Sequence, residues 1–443
     1  MGAGKTTLGP VLAARLGRPF LSVDALVEHG AGMSVADLFA RRGEAAFREL
    51  EQDVAADVLG RRVPVVVELG GGALASERTR AQLRESAFTI LLQTTPEEAW
   101  ERVSGSARPL AQDATSFAKL FDERAPLYAE VADARARDLD GVILAAAGIR
   151  FGSHAEVRGD AVVADERVVE LHGIAATHPV AGGEASKTLA VADRLWRALR
   201  LERGSTLVAV GGGSTTDLAG FVAATYMRGI AWIPVPSTLV GQVDAAIGGK
   251  TAVDLPEGKN LVGVFHWPAA TVIDLALLDT LPDDERANGL AEVVKTGLLA
   301  GEPLWELELP ELVRRCAAFK AAICLQDLLD QGVRTQLNLG HTFAHALESA
   351  SGFELAHGRA VALGMLAALR LSGLEQEVRI VEDVLAPEPV RVDREAAWAA
   401  LDHDKKRAGK TVRFVLLDAP GRPRWGVELP PADVRAVLDS LIA

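Results

Sequence analysis

Residues 208–260 read VAVGGGSTTDLAGFVAATYMRGIAWIPVPSTLVGQVDAAIGGKTAVDLPEGKN, and this stretch decides the fold of the larger part of the chain. An apolar run at 206–210 leads directly into Gly211-Gly212-Gly213, and a second apolar run at 230–235 leads into Pro236-Ser237-Thr238. Consecutive glycines allow the backbone to approach a ligand closely and to adopt positive φ angles. Two successive strand–turn–helix patterns predict a nucleotide-binding α/β sheet, although GGGSTT does not match the G-x-G-x-x-G fingerprint of dinucleotide sites.

The same stretch is dense in polar groups that a packed core does not require. Asp217 lies where the helix after the glycines should begin, and Asp244, Lys250, Lys259 and Asn260 follow. Ordinary turns in an α/β sheet explain the glycines, but they do not explain the carboxylates, the cations and the amide. The stretch is therefore predicted to hold a ligand.

The composition is that of a soluble globular protein with two or three domains. The 443 residues are 49% hydrophobic and 24% charged, and the formal net charge of −13 argues against broad binding to nucleic acid or anionic membranes. No apolar run reaches the roughly 18–20 residues that a membrane span needs. The two cysteines, Cys316 and Cys324, fit one face of a helix and are predicted to be reduced core residues, which suits a cytoplasmic protein.

The chain begins with MGAGKTT at 1–7, the second half of the phosphate-binding pattern G-x-x-x-x-G-K-[ST]. In such a loop the backbone N–H groups cradle phosphates at a helix N-terminus, the lysine (Lys5) reaches the terminal phosphates and the threonine (Thr6) ligates Mg²⁺. The first glycine of the pattern and the strand before it would precede Met1, so we expect the true start to lie upstream.

Further polar and glycine motifs follow along the first 145 residues. A predicted strand at 20–24 ends in a carboxylate, a helix carries GEAAFR at 43–48, and a strand at 65–69 runs into three glycines. With ARPL at 107–110 and ERAPLY at 123–128, this segment resembles shikimate kinase. The resemblance implies a P-loop kinase-type three-layer α/β/α domain at 1–145 that uses ATP with Mg²⁺. It implies ATP contacts from Gly2, Ala3, Gly4, Lys5, Thr6, Thr7 and Arg108, and shikimate contacts from Asp24, Arg48, Gly70, Gly71, Gly72 and Arg124.

Ser22 departs from that family, which usually has a second Asp there to help hold the Mg²⁺ shell. This departure and the missing first strand leave an alternative open. Residues 1–145 would then be a degenerate nucleotide-binding or dimer-supporting module without kinase activity.

A second resemblance covers the chain from about residue 160 to its end. GGGSTTDLAGFVAATYMRGI at 211–230, PSTLVGQVDAAIGGKT at 236–251 and GKN at 258–260 resemble 3-dehydroquinate synthase. This implies a Rossmann-like α/β half that binds NAD, predicted at 153–275, and a mainly α-helical metal-binding half at 276–443. The NAD contacts implied are Asp165, Glu184, Lys187, Gly212, Gly213, Asp217, Ser237, Thr238, Lys250, Lys259 and Thr280. By sequence alone, Asp165 fits a solvated turn equally well, and Glu184 with Lys187 fit a helix cap.

The same resemblance implies residues that act on the substrate. Arg334, Asn338 and His341 have the spacing i, i+4, i+7, which predicts one helical stripe facing one pocket. The catalytic positions implied are Arg228, Asp244, Lys250, Asn260, Lys295 and His345. The substrate-binding positions implied are Lys259, Lys320, Arg334, Asn338 and Lys405, the last chosen over Lys406.

Glu292, His341, His345 and His357 are the candidate metal ligands. His341 and His345 are four apart on a predicted helix and could chelate one ion together. The resemblance instead implies Glu292, His341 and His357, a set typical of catalytic zinc with one position left open. His345 would then be an acid/base or phosphate-contact group, and the metal would be Zn²⁺ or Co²⁺. The alternative is that these histidines are satisfied core residues.

Together the two resemblances predict a bifunctional enzyme of aromatic biosynthesis. One part would convert 3-deoxy-D-arabino-heptulosonate 7-phosphate to 3-dehydroquinate with loss of phosphate, and the other would phosphorylate shikimate. The implied ligands are small molecules, and binding to nucleic acid or to a membrane is not expected. The resemblance also implies a homodimer formed through the synthase part. A related sugar-phosphate cyclase that makes a cyclitol is the alternative, but Arg334 with Asn338, beside a shikimate-type kinase, argues against it.

Overall fold

The computed structural model describes residues 2–104, 113–408 and 412–443, and of residues 402–408 it describes the backbone alone. The chain divides into two compact units, residues 1–147 and 148–443. Arg108 lies outside the described residues, and so does the side chain of Lys405. The finer limits of 1–145, 153–275 and 276–443 remain predictions. Among the described residues, every helix is too short or too polar to cross a membrane.

The first unit alternates helices with short parallel strands. Its elements are α1 Lys5–Arg15, β1 Phe20–Ser22, α2 Val23–Ala31, α3 Val35–Leu59, β2 Val66–Glu68, α4 Glu77–Ser86, β3 Ile90–Leu92, α5 Pro96–Val103, α6 Ala114–Val131, β4 Ala134–Ala136 and α7 Leu139–Ala146. β1 pairs with β2, and β3 pairs with β4, each in parallel. A helical crossover between two strands allows this parallel pairing, because it carries the chain back along the sheet.

Side-chain caps set where several helices of this unit begin. Ser34 Oγ accepts a hydrogen bond from Asp37 N at 3.1 Å at the start of α3. The predicted strand at 20–24 is shorter than expected, because Ser22 Oγ accepts from Ala25 N and starts α2. Asp24 therefore lies in the first turn of a helix, not at the end of a strand.

The second unit opens with an α/β half built on a parallel sheet. Its elements are β5 Ile149–Phe151, β6 Ala161–Asp165, α8 Glu166–His172, β7 His178–Val180, α9 Leu189–Ala198, β8 Thr206–Gly211, α10 Gly213–Thr225, β9 Ala231–Pro236, β10 Lys250–Leu255, β11 Gly258–Phe265 and β12 Thr271–Ile273. The sheet has the order β7-β6-β8-β9, and all its pairings are parallel. The inner strand β8 is buried from residue 207 onward, as its continuous apolar run predicts. β10 and β11 form a separate antiparallel hairpin.

The rest of the unit is mainly helical. Its elements are α11 Asp283–Ala300, α12 Leu309–Gln326, α13 His341–Ala350, α14 His357–Ser372, α15 Glu375–Leu385, α16 Arg394–Ala408, β13 Phe414–Ala419, β14 Arg422–Val427 and α17 Pro431–Asp439. Residues 360–369 of α14, AVALGMLAAL, carry no charge and are all buried. The buried Cys316 and Cys324 are free thiols on α12.

Two glycines allow α13 and α14 to approach each other. Gly340 has a φ of 79°, in the left-handed region, and is the cap residue before α13. A Cβ on Gly364 would collide with the carbonyl oxygen of Gly340. Only glycine at both positions permits this backbone contact, and the contact fixes where α13 begins relative to α14.

Candidate active sites

Glu292, His341 and His357 bring three potential metal-ligand atoms within 4.8 Å of one another. Glu292 lies on α11, and the two histidines are the first residues of α13 and α14. His357 Nε2 is 3.2 Å and His341 Nε2 is 3.6 Å from Glu292 Oε1. The close crossing at Gly340 and Gly364 keeps the two helix starts near each other.

The charges in this cluster shift its pKa values strongly. Burial raises the pKa of Glu292, but Lys295 and the two histidines outweigh it and hold that pKa well below the usual range. Burial, with the charge of Lys295, lowers the pKa of His341 to about 3. Burial also lowers the pKa of His357, but hydrogen bonds with Glu292 and Glu348 outweigh it and raise the pKa to about 10. An ionised carboxylate and a neutral imidazole are the forms that ligate a metal, so Glu292 and His341 are already in that form and His357 has to release a proton when a metal binds.

A second carboxylate with its cations lies close to the cluster. Lys320 Nζ is 2.7 Å from Asp244 Oδ1 and also donates to the Asp244 carbonyl oxygen at 2.7 Å. Burial raises the pKa of Asp244, but the charges of Lys320 and Lys295 outweigh it and lower the pKa. Lys295 is itself buried and paired with Glu292. The structure thus brings together four residues predicted from the sequence, which are Asp244, Glu292, Lys295 and Lys320.

The predicted helical stripe of Arg334, Asn338 and His341 is wrong. A 3-10 turn, Val333–Asn338, precedes Gly340, and α13 begins only at His341. The left-handed φ of Gly340 interrupts the helical periodicity, so the i, i+4, i+7 spacing does not describe one face.

Arg334 nevertheless contacts the stretch 208–260 through Gly248, and His345 lies beside His341. Arg334 is only 2% exposed, and its Nη1 donates to the carbonyl oxygen of Gly248 at 2.9 Å. His345 is exposed, and its ring centroid lies 5.6 Å from that of His341. The cluster that meets the metal-ligand spacing contains His357 and not His345. This geometry favours Glu292, His341 and His357 over chelation by His341 with His345.

A network around Lys187 joins several residues of the predicted cofactor site. Lys187 is 3% exposed, and its Nζ lies 2.7 Å from Asp217 Oδ2 and 3.7 Å from Glu184 Oε1. Lys187 also donates to Asn260 Oδ1, and Ser214 donates to Glu184 Oε2 at 2.6 Å. Burial raises the pKa of Asp217, against the charge of Lys187. Burial lowers the pKa of Lys187, but Asp217 and Glu184 outweigh it and raise that pKa.

The glycine turn after β8 lies beside the start of the segment after β9. Ser237 N donates to the Gly211 carbonyl oxygen at 2.9 Å. A Cβ on Gly212 would lie 3.1 Å from Thr238 Cγ2, and a Cβ on Gly213 would lie 3.2 Å from the Cβ of Ala245. The predicted residues Gly212, Gly213, Ser237 and Thr238 therefore meet at the carboxyl ends of two adjacent parallel strands, where α/β sheets bind ligands.

The β10–β11 hairpin carries the remaining cations of the opening stretch. Lys250 is exposed and its Nζ lies 2.5 Å from Asp330 Oδ2. Lys259 Nζ lies 5.1 Å from the centre of the Phe353 ring. Asn260, next to Lys259, has a left-handed φ of 57°. Both lysines thus have partners from the helical half of the unit.

Three further predicted residues have local partners. Asp165 Oδ1 accepts from Arg167 N at 2.9 Å and caps α8, as a turn residue does. Thr280 Oγ1 lies 2.7 Å from His172 Nε2. Arg228 is exposed and has a left-handed φ of 68°. Their roles in binding remain predictions.

In the first unit, charged side chains surround the glycine turn at 70–72. Arg48 Nη1 is 2.5 Å from Oε2 of Glu51, which is 1% exposed. A Cβ on Gly70 would collide with the carboxylates of Glu51 and Asp24, and a Cβ on Gly72 would collide with the guanidinium of Arg48. Glycine is required here because these side chains lie directly against the turn.

Two residues of α6 complete this pocket. Tyr128 Oη donates to the Gly71 carbonyl oxygen at 2.6 Å, and its pKa is raised by burial against the charge of Arg124. Burial raises the pKa of Glu51, against the charges of Arg48 and Arg124. The structure therefore brings together all six residues predicted to contact shikimate, which are Asp24, Arg48, Gly70, Gly71, Gly72 and Arg124.

The phosphate-binding pattern forms a turn that leads into α1. Gly2 and Gly4 have φ angles of 72° and 85°, and Gly4 is the cap residue of the helix. Thr6 Oγ1 donates to Glu68 Oε1 at 2.7 Å. The predicted ATP contacts Gly2, Ala3, Gly4, Lys5, Thr6 and Thr7 all lie in this turn and the start of α1.

Four acidic residues at these sites were not predicted from the sequence. Glu51 lies three positions after Arg48 on one helix, a spacing that could have identified it. Glu348 lies nine positions before His357, on a different helix, and its Oε1 is 3.3 Å from His357 Nδ1. Glu68 and Asp330 reach their partners only through contacts between distant segments.

Family models match three segments of the chain. The model described as shikimate kinase matches residues 1–142. The models described as 3-dehydroquinate synthase N-terminal and C-terminal match residues 177–288 and 289–407. A phosphotransferase unit therefore precedes a lyase unit in one chain, and both resemblances predicted from the sequence are confirmed.

Curated relatives identify the family. The 3-dehydroquinate synthase of Thermobifida fusca (strain YX) is 43% identical over 275 residues, which are 55% of this chain and 74% of that protein. The 3-dehydroquinate synthase of Gloeobacter violaceus is 44% identical over 291 residues, or 59% of this chain and 80% of that protein. The chain belongs to the 3-dehydroquinate synthase family.

Solved structures share the fold of the second unit. A 2-epi-5-epi-valiolone synthase from Streptomyces hygroscopicus subsp. jinggangensis 5008, with NAD⁺ and Zn²⁺ bound, has a TM-score of 0.59 and 24% identity. The match covers 66% of this chain and 96% of that chain. The predicted arrangement, an α/β half followed by a mainly helical half, is confirmed.

Proposed function

We propose that residues 148–443 cyclise 3-deoxy-D-arabino-heptulosonate 7-phosphate to 3-dehydroquinate with loss of phosphate. The observation that carries this proposal is the meeting of Glu292, His341 and His357 beside the ion pair of Lys320 with Asp244. The 40–44% identity to proteins named 3-dehydroquinate synthase supports the same reaction.

The residues present fit a divalent metal, Zn²⁺ or Co²⁺. Glu292 is fully buried, with Oε2 paired to Lys295 and Oε1 facing both histidines. One carboxylate with two imidazoles is a donor set that catalytic zinc sites use. Glu292, His341 and His357 would hold the ion, and Glu348 would orient the ring of His357 through Nδ1.

NAD fits the turn at the ends of β8 and β9. Gly212 and Gly213 leave room for close backbone approach, and the network of Lys187, Asp217 and Glu184 supplies groups that can bind ribose or nicotinamide. When bound, NAD accepts a hydride and later returns it, so the overall reaction has no net redox change. The metal, when bound, polarises the reacting hydroxyl.

The substrate carries a phosphate and a carboxylate, and the proposed site is rich in cations although the whole chain has a net charge of −13. Lys295, Lys320 and Arg334 are buried in the helical half. Their charges hold an anionic substrate, and a guanidinium fixed by the Gly248 carbonyl suits a bidentate oxyanion contact. Asp244, kept ionised by the two lysines, can accept a proton or a hydrogen bond from the substrate.

The synthase proposal is tested by following phosphate release from the heptulosonate phosphate with the full chain. We expect 3-dehydroquinate to form with substoichiometric NAD, without accumulation of NADH, and activity to disappear after treatment with a chelator. Full activity of the metal-free protein would overturn the assignment of Glu292, His341 and His357.

We propose that residues 1–147 transfer a phosphoryl group from ATP to the 3-hydroxyl of shikimate, with Mg²⁺. The charged pocket of Asp24, Arg48 and Arg124 around the glycine turn supports binding of a small triol acid. The test is ATP-dependent phosphorylation of shikimate by the full chain, compared with Lys5→Met. A chain that is active as a synthase but transfers no phosphate would instead support the degenerate module.

A related cyclase that makes a cyclitol is the second candidate. The solved structures with this kind of activity, such as 2-deoxy-scyllo-inosose synthase, are 24% identical. The curated 3-dehydroquinate synthases are 40–44% identical, which favours the first candidate. Turnover of a cyclitol precursor and not of the heptulosonate phosphate would reverse this choice.

We also propose that the protein is cytoplasmic and forms a homodimer through the synthase unit. Two buried, free cysteines fit a reducing compartment. Sedimentation equilibrium of the full chain should give twice the chain mass, and a monomer at micromolar concentration would contradict the dimer.

A further inference from the structure

The predicted Mg²⁺ site of the first unit lacks a carboxylate at the end of β1. Ser22 occupies that position, and its hydroxyl accepts from Ala25 N at 3.4 Å to cap α2. A serine engaged in capping contributes no negative charge to a metal shell. If the unit uses Mg²⁺ with ATP, another residue has to supply that charge.

Glu68 stands beside Ser22 on the neighbouring strand. The two residues are register partners, Ser22↔Glu68, at the ends of the parallel strands β1 and β2. The carboxyl ends of parallel strands open on the same edge of a sheet, so a side chain from either strand can serve the same site. Glu68 thus offers a carboxylate at the edge where Ser22 does not.

Glu68 already contacts the predicted metal ligand. Thr6 Oγ1 donates to Glu68 Oε1 at 2.7 Å. A hydroxyl can donate its hydrogen to a carboxylate while an oxygen lone pair ligates a cation, so this hydrogen bond is compatible with metal binding by Thr6. This hydrogen bond orients the hydroxyl and leaves its lone pairs for a cation.

The second oxygen of Glu68 has no assigned contact. Glu68 Oε2 is buried and has no hydrogen-bond partner among the residues that the structure describes. A buried carboxylate oxygen without a partner is costly, and a metal-bound water would satisfy it. Mg²⁺ usually keeps several waters and is held through one or two carboxylates and the substrate phosphates.

We propose that Glu68 supplies the carboxylate of the Mg²⁺ shell, in place of the acidic residue that Ser22 replaces. Glu68 is a positioning residue: Oε1 orients the Thr6 hydroxyl and Oε2 orients a water of the shell. The proposal rests on the proposed kinase function and names the residue of this chain that makes its metal site complete.

The test measures the metal directly. Binding of Mn²⁺ to the full chain is followed by electron paramagnetic resonance with and without ADP, and the ADP-dependent part is assigned to the first unit. Glu68→Gln keeps an acceptor for Thr6 but removes the charge. We expect it to weaken ADP-dependent Mn²⁺ binding by about 10- to 100-fold, as loss of an outer-shell partner does. Metal-free ADP affinity should stay within about threefold, and Glu85→Gln, on the exposed side of α4, should bind like the wild type.

A charge exchange between the two strands gives the sharper result. The double variant Ser22→Asp with Glu68→Ser returns the carboxylate to β1, and Asp also caps helices well. We expect it to recover most of the Mn²⁺ affinity that Glu68→Ser alone loses. Wild-type Mn²⁺ affinity in Glu68→Gln would overturn the proposal and leave Glu68 as a partner of Thr6 only.

The outcomes for this proposal and for the kinase are distinguishable. A wild-type chain that binds Mn²⁺ with ADP through Glu68, but does not phosphorylate shikimate, supports the metal assignment and contradicts the kinase. A wild-type chain without any ADP-dependent Mn²⁺ binding overturns the metal assignment. Phosphorylation with unchanged Mn²⁺ affinity in Glu68→Gln supports the kinase and overturns the role of Glu68.

Discussion

Glu292 is fully buried and contacts both histidines of the proposed metal centre. We predict that Glu292→Gln lowers Zn²⁺ affinity by more than about 100-fold, since loss of an outer-shell partner alone costs 10- to 100-fold. Competition with a chromogenic chelator measures this. Glu306→Gln, on an exposed residue of the same unit, is the matched control. Equal Zn²⁺ affinity in the two variants would exclude Glu292 as a ligand.

The buried Lys187 forms an ion pair with Asp217, whose side chain is 20% exposed. We predict that Lys187→Ala reduces the free energy of unfolding by about 2 kcal/mol, because the largely desolvated Asp217 carboxylate loses its partner. It should also weaken NAD binding. In urea unfolding, Lys187→Ala with Asp217→Asn should be less destabilised than the sum of the single variants. Strict additivity would contradict a direct interaction.

At the scale of helices, the crossing of α13 with α14 determines whether the two histidines meet. We predict that Gly364→Ala destabilises the protein by about 3 kcal/mol through overpacking against Gly340, and also weakens Zn²⁺ binding. Gly373→Ala, at the end of α14, adds a Cβ into open space at a φ of 72° and should cost only about 1 kcal/mol. Zn²⁺ affinity should be normal in Gly373→Ala; a loss there would show that the crossing is not the cause.

Asp274 connects β12 to the segment that begins the second unit. Its Oδ2 accepts from both N and Nδ1 of His154 at 2.7 Å, and Oδ1 accepts from Ala276 N at 3.0 Å. Burial raises the pKa of Asp274, but these hydrogen bonds outweigh it and lower the pKa. The ionised form therefore stabilises the fold above the unfolded pKa of about 3.9, and this contribution is lost as the pH falls through the lowered folded value.

We predict that Asp274→Asn costs about 1–2 kcal/mol at pH 7, because the acceptors lose their charge. The difference from the wild type should shrink below about pH 4. Urea unfolding at pH 7 and pH 3.5 measures it, and a difference that stays constant over this range would contradict the linkage.

At the scale of the whole molecule, the two candidate sites lie in different compact units. We predict that Lys5→Met reduces phosphorylation of shikimate by at least about 100-fold, as loss of a phosphate-stabilising cation does, and leaves synthase turnover within twofold. Lys250→Ala should have the reverse effect. Parallel assays of both activities on each variant provide the measurement, and a variant that loses both activities would mean that the units depend on each other.

The sequence by itself determined the features that depend on neighbouring residues. The apolar run before Gly211 predicts a buried parallel strand, and β8 ends at that glycine. GKTT predicts the loop that starts α1, and α1 begins at Lys5 directly after the capping residue Gly4. These signals are local, because caps, turns and periodicity act over a few residues.

Only the tertiary structure decided which distant groups meet. Spacing predicted one stripe from Arg334 to His341, but the helix contact at Gly340 ends it. The contact of Glu68 with Thr6 spans 62 positions and follows from strand register, which no local pattern specifies. Such contacts depend on how whole elements pack, since packing sets their separation and burial changes the energy of each charge.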